Sequence, residues 1–235
     1  MSITENVRRI RTEMEKAAIA AGRDPKDVRL CAATKMNDTA AVREAISAGV
    51  DCCGENRVQE LTQKLSENAY EGAEIHFIGH LQTNKVRHVV GKVSLIHSID
   101  SLRLLEAVSR EAAKQGLTQD ILLEINIGNE ESKSGFSPEE LPDILEAASH
   151  LPGIFVRGLM AIPPICQNSG DNNKFFQKMY RLSVDISAKK YDNVCSTVLS
   201  MGMSADFSEA IACGSTMVRI GTDIFGARNY AATKP

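Results

Sequence analysis

Apolar residues at Val7, Ile10, Met14, Ala17, Ala18 and Ala21 recur at helical spacing, and the pattern stops at Gly22 and Pro25. Ser2 and Glu5, spaced as a capping box, stand just ahead of it, so the chain is predicted to open on an amphipathic helix. The period then changes. Short β-like apolar runs follow at 28–34, 51–53, 75–78, 95–98, 121–127, 154–160, 197–199 and 217–220. Between them lie stretches such as 39–48, 102–114, 138–148 and 174–190, each apolar on one face and polar on the other. Ser137-Pro138-Glu139-Glu140 supports the third of these independently, with an N-cap serine, a proline at the first helical position and a capping-box glutamate.

Strand and helix alternate throughout, and eight such units in 235 residues predict one closed parallel barrel, a (β/α)₈ TIM barrel preceded by a helix. An open doubly wound sheet would carry a glycine-rich phosphate loop after its first strand, where this chain has Lys35-Met36-Asn37-Asp38. No linker, repeat or low-complexity tract divides residues 1–235, so a single domain is expected.

Composition removes several function classes. A net charge of −3 with scattered Lys and Arg gives no footprint for nucleic acid. The first residues mix acidic and basic side chains where a secretory signal needs an apolar run, and no stretch is long and apolar enough for a membrane helix. The expected location is the cytoplasm. Cys31, Cys52, Cys53, Cys166, Cys195 and Cys213 form no CxxC pair and read as buried small hydrophobes rather than a disulfide framework. His76 and His80 are four apart but bracket a strand-like Phe77-Ile78-Gly79, so they do not form a helical zinc pair, and no metal is implied.

In a (β/α)₈ barrel the active site is built at the carboxyl ends of the strands. The residues there are Lys35, Glu55-Asn56-Arg57, His80 with Gln82 and Asn84, Asp100, Asn126, Met160, Ser200 through Ser204, and Arg219 with Gly221-Thr222. Lys35 directly follows an apolar strand, where burial favours the neutral amine and hence attack on an aldehyde or ketone. A solvated lysine capping a strand fits the same position. Ser200-Met201-Gly202-Met203-Ser204 and Ile220-Gly221-Thr222 follow strands seven and eight, the loops that often hold phosphate in such barrels. Ordinary βα turns also favour Gly and Ser. Arg219, between Val218 and Ile220, needs an acceptor because it stays charged; either a ring nitrogen or an internal carboxylate serves.

Long motifs carry a resemblance. They are Leu30-Cys31-Ala32-Ala33-Thr34-Lys35, Gly54-Glu55-Asn56-Arg57-Val58-Gln59-Glu60, His76-Phe77-Ile78-Gly79-His80-Leu81-Gln82-Thr83-Asn84-Lys85 and the segments 126–136, 200–206 and 214–222. The chain resembles the pyridoxal phosphate homeostasis protein family, related to the N-terminal barrel of alanine racemase, over nearly its whole length. The resemblance implies pyridoxal 5′-phosphate (PLP) as cofactor, held as a Schiff base on Lys35. It further implies Ser200, Gly221 and Thr222 at the phosphate, Arg219 at the pyridine nitrogen, and Asn56, Met160 and Met201 lining the pocket. The family strand usually has Val-Ser before the lysine; Ala33-Thr34 keeps the apolar-then-hydroxyl order. Lys133 is either a second lysine near the mouth or a solvated loop residue.

An arginine does not readily give up a proton, so Arg219 opposite the ring nitrogen leaves PLP a weaker electron sink, which argues against transamination. In alanine racemase, by resemblance, the second acid/base group is a tyrosine of a C-terminal β domain. Here little chain follows Phe225-Gly226, and none of Tyr70, Tyr180, Tyr191 or Tyr230 directly follows a strand. The expectation is a non-catalytic PLP carrier in PLP homeostasis, a monomer, with PLP-dependent apoenzymes as recipients. A PLP-dependent racemase or lyase is the enzyme alternative, and an aldolase-like barrel binding a phosphorylated sugar at Lys35 is a third.

Overall fold

Ser2 caps the first helix as the spacing predicts: its hydroxyl accepts from the Glu5 amide at 3.2 Å while the Glu5 carboxylate accepts from the Ser2 amide at 2.8 Å. That helix, α1 (Ile3–Ala20), buries Val7, Ile10, Met14 and Ala18. The computed structural model describes residues 2–130, 132–164 and 170–226, so Cys166 and Tyr230 lie outside the described residues.

Eight strands follow: β1 (Arg29–Ala33), β2 (Cys52–Glu55), β3 (Glu74–Phe77), β4 (Leu95–Ile99), β5 (Gln119–Glu124), β6 (Ile154–Met160), β7 (Val194–Ser200) and β8 (Met217–Ile220). They pair in parallel, each with the next, and β8 pairs back onto β1 through Met217–Arg29 to Ile220–Ala32, closing the barrel. Around them run α2 (Thr39–Ser47), α3 (Val58–Ser66), α4 (Leu102–Lys114), α5 (Leu141–Ser149), α6 (Asn173–Ser187), α7 (Phe207–Ala212) and α8 (Thr222–Phe225). The connection from β3 to β4 is a 3₁₀ segment, Thr83–His88, in place of an α-helix. The helix α1 packs against α2, α7 and α8.

Strand alternation sorts the side chains into two cores. Leu30, Ala32, Cys53, Ile96, Ile121, Leu123, Leu199, Val218 and Ile220 face the helices and join the large outer core. Their neighbours face the lumen, where Cys31, Cys52 and Met217 form one small cluster and Leu95, Leu122 and Met160 another. Gly158 lets β6 and β7 approach at a register shift: at φ +144° a Cβ there would lie 1.9 Å from the Val198 carbonyl oxygen.

Three expectations need revision. The Ser137 capping box forms, with Glu140 N–H donating to Oγ at 3.3 Å, but it closes a single turn and α5 begins after it at Leu141. Strand β5 ends at Glu124, because Ile125 bridges to Phe136 and turns the chain into a loop. Cys31, Cys52 and Cys53 are buried, whereas Cys195 is exposed on the short start of β7. Among the described residues, no helix is long and apolar enough to cross a membrane.

Candidate functional site

Lys35 sits in a tight turn fixed from both sides. The Thr34 hydroxyl donates to Glu55 Oε1 at 2.6 Å, and the Thr34 carbonyl accepts from Lys64 Nζ at 2.7 Å. Behind Lys35, Met36 adopts φ +60°, a conformation few non-glycine residues take, and its amide donates to Glu60 Oε2 at 2.6 Å. The Asn37 side chain then donates to the Lys35 carbonyl at 3.0 Å. A strained residue held by these bonds sets where the half-buried lysine leaves the strand.

Glu55 stands apart from the mouth, where its position after the second apolar run would place it. Alternation along β2 points Glu55 outward, where it is fully buried between the barrel and α3. Its Oε1 accepts from Lys64 at 2.6 Å and from the Tyr70 hydroxyl at 3.0 Å. Burial and the adjacent Glu55 charge push the Tyr70 phenol pKa up, so Tyr70 stays protonated. Arg57 is exposed and pairs with Glu60 at 3.7 Å.

At the same end of the barrel a cavity of about 620 Å³ opens. Of the residues expected to hold a cofactor, Lys35, Asn56, Arg219, Gly221 and Thr222 line it. Ser200, Met160 and Met201 do not. Met160 lies in the lumen below, Met201 faces the outer core, and Ser200 is fully buried beneath the cavity floor formed by Arg219. From the same loop Ser204 reaches the wall instead. The loop turns at Gly202, where φ is +93° and a Cβ would stand 2.6 Å from that of Ala210. Gly221 packs its backbone on β1, with room for a Cβ only 3.3 Å from that of Ala33. The β8 loop thus lies directly beside the strand that carries Lys35.

Arg219 is buried and stays charged by donating to three oxygens: Ser200 O at 2.8 Å, Ser200 Oγ at 2.6 Å and Ala161 O at 3.0 Å. Among the described residues neither Nε nor the second Nη2 hydrogen meets an acceptor, and the Arg219 side chain lines the cavity. Asn56 supplies the complementary sign, since its Oδ1 is buried with no hydrogen-bond partner. A buried acceptor left without a partner, on a residue that lines a cavity, is a candidate to meet a donor from a ligand.

Glu124, also in the wall, was overlooked in the sequence because it fell inside a run read as strand. A carboxylate among Ile121, Leu122 and Leu123 is the signal that marked Arg219, with the opposite sign. Burial, and then the neighbouring Asp100, push its pKa up to about 7. His80 lines the cavity as well and shares a hydrogen bond of 2.9 Å with Asp100 through Nδ1. Lys133 is in the wall too, its ammonium paired with Glu130 and donating to the Pro163 carbonyl at 3.1 Å. Asn126 pins that loop by donating to Glu130 O at 2.9 Å and Lys133 O at 3.2 Å. Gln82 and Asn84 do not line the cavity.

Below the floor, in the lumen, Cys31, Cys52 and His76 bring ligand-type atoms within 4.8 Å of one another. Both His76 nitrogens are already engaged, Nδ1 with His97 at 3.0 Å and Nε2 with Glu74 at 3.4 Å. The hydrogen bond with Cys31, and then burial, raise the Cys52 thiol pKa, which opposes the thiolate a metal would need.

A closed eight-stranded parallel barrel with this mouth is the class described by the family model "Alanine racemase, N-terminal domain", which matches residues 2–229. Two curated relatives, each named pyridoxal phosphate homeostasis protein, align over nearly all of both chains. The protein from Aquifex aeolicus is 42% identical, over 98% of this chain and 100% of the relative. That from Pseudomonas aeruginosa is 40% identical, over 98% of each. The chain belongs to the pyridoxal phosphate homeostasis protein family. Among solved structures, PipY of Synechococcus elongatus with PLP bound superposes with a TM-score of 0.78 at 33% identity, covering 91% of this chain and 100% of PipY.

Proposed function

We propose that this protein binds PLP at the barrel mouth as a Schiff base on Lys35 and serves PLP homeostasis as a carrier. The observation that carries the reading is the convergence of Lys35, Arg219 and Asn56 on one cavity, in a chain whose relatives are named for PLP homeostasis. PLP supplies an aldehyde that a lysine amine can capture with loss of water.

The remaining roles fall to this chain's own residues. Thr222 and Ser204 offer hydroxyls, and Gly221 an unobstructed backbone, toward the phosphate. Arg219 offers N–H donors to the ring nitrogen without giving up a proton. Asn56 accepts from a ligand donor. The turn at Thr34–Asn37 sets the lysine amine at the mouth. Recipients would be PLP-dependent apoenzymes, and the protein would act as a monomer in the cytoplasm.

A second reading, a PLP-dependent racemase or lyase, draws on Glu124 and the His80–Asp100 pair. Glu124 and His80 put carboxyl and imidazole groups in the cavity wall, where among the described residues no tyrosine stands. Sustained turnover of an amino acid by the purified protein, abolished in Lys35→Ala, would favour it over the carrier.

Titration of purified protein with PLP, followed by visible absorption, tests binding. Wild type is expected to develop a yellow band that saturates at one PLP per chain, and Lys35→Ala to show only the spectrum of free PLP. A colourless wild type would contradict the proposal.

A further inference from the structure

A file of hydrogen bonds runs down the lumen from the floor of the cavity to the opposite end of the barrel. Arg219 Nη1 donates to Ser200 Oγ at 2.6 Å, Ser200 Oγ meets His97 Nδ1 at 3.1 Å, and His97 Nε2 meets His76 Nδ1 at 3.0 Å. His76 Nε2 meets Glu74 Oε2 at 3.4 Å, and Glu74 is paired with Arg29 at 2.8 Å. His76, His97 and Ser200 are at most 1% exposed. Strand register makes the file possible: β3 and β4 pair His76 with Leu95, so His97 stands two residues further toward the mouth on the same lumen face.

The two ends fix the direction of every bond. A guanidinium only donates and a carboxylate only accepts. With Glu74 accepting from His76 Nε2–H, a neutral His76 has only Nδ1 left, as an acceptor. His97 must then donate from Nε2 and accept at Nδ1. The Ser200 hydroxyl hydrogen is thereby committed to His97, and its oxygen is left to accept from Arg219. Burial lowers the pKa of both histidines, that of His76 to about 4, and so keeps them neutral. Besides Arg29 at its far end, the titratable groups facing the file are Cys31 and Cys52 along the lumen and Glu124 and Asp206 beside Arg219.

We infer that His97 and His76 are positioning residues that act through Ser200 to hold the Arg219 guanidinium at the cavity floor, each locked as the neutral Nε2–H tautomer. This rests on the PLP reading for its effect on the cofactor, but the tautomers are a property of the chain alone. Ser200 is in this account a strut beneath Arg219 and not a phosphate ligand.

Long-range ¹H–¹⁵N correlation on the cofactor-free protein reads the tautomers directly. His76 and His97 are expected to carry their proton on Nε2, and a proton on Nδ1 of His97 would overturn the inference. PLP titration then compares His97→Leu, which has no acceptor, with His97→Asn, whose Oδ1 can take the place of Nδ1. The leucine variant is expected to bind about tenfold or more weakly with a shifted absorption band, the asparagine variant to stay within about threefold of wild type. A folded His97→Leu that binds PLP with wild-type affinity and spectrum would overturn it. Ser200→Ala carries the same comparison if His97→Leu does not fold. A wild type that binds no PLP defeats the functional reading, while the tautomers still decide the column.

Discussion

Two polar groups are buried on opposite faces of the same sheet, and they solve the problem of burial differently. Outside the barrel, Glu55, Lys64, Thr34 and Tyr70 form a charged knot in which one carboxylate oxygen accepts from three side chains. Inside, Arg219, Ser200, His97 and His76 form a line whose middle members are neutral and whose one buried charge sits at the cavity. The knot gathers its three donors on Glu55 Oε1, leaves Oε2 without a partner, and pins the residue before Lys35. The line ends on donors it does not use. Buried charge that must be stable is paired in place, whereas buried charge that must meet a ligand is propped from behind and left partly unpaired.

Breaking the knot should have the largest effect. Lys64→Met removes the cation bonded to the fully buried Glu55 and is expected to cost about 3–5 kcal/mol in denaturant-unfolding stability. Replacing both partners with apolar residues should recover much of that loss. If Lys64→Met alone costs under about 1 kcal/mol, the knot does not bear on stability as described.

Dependence on pH separates the line from the cavity wall. His76 titrates near 6.5 when unfolded and at about 4 when folded, so between those values the unfolded chain binds the extra proton. Its stabilising contribution is complete above pH 6.5 and is lost as pH falls toward 4. Glu124 runs the other way: with its folded pKa raised from 4.5 to about 7, its contribution is complete below pH 4.5 and lost as pH rises through 7. Each limb amounts to about 3 kcal/mol by the usual conversion, and the two oppose one another where they overlap. Thermal denaturation across this range should therefore show a flatter profile for wild type than for Glu124→Gln, in which stability should fall more steeply with acid. An unchanged slope in that variant would count against a half-buried Glu124 with a raised pKa.

The smallest stability effect is expected at Asn56. Its Oδ1 has no partner in the protein, so Asn56→Ala should change folding stability by no more than about 0.5 kcal/mol while weakening PLP binding several-fold. A loss of stability without a loss of affinity would reverse its assignment from ligand to scaffold.

Much of this was legible in the sequence where one residue breaks its local pattern. The alternation of short apolar runs and amphipathic stretches foretold the barrel, and Lys35 and Arg219 stood out as charges attached to apolar strands. What failed was parity. Reading the second strand as ending at Cys53 put Glu55 in the mouth, whereas the strand runs to Glu55 and alternation turns that side chain outward. Ser200 and Ser204 were both legible as loop hydroxyls, but only the turn at Gly202 decides which one reaches the cavity. The line through the lumen was out of reach, since His76, His97 and Ser200 come from three strands whose relative register no local pattern encodes.

A covalent bond between PLP and one lysine is located by borohydride reduction of the PLP-loaded protein followed by peptide mapping. A single reduced pyridoxyl adduct on Lys35 is expected. An adduct on Lys133 with Lys35 unmodified, or no adduct after saturation with PLP, would contradict it.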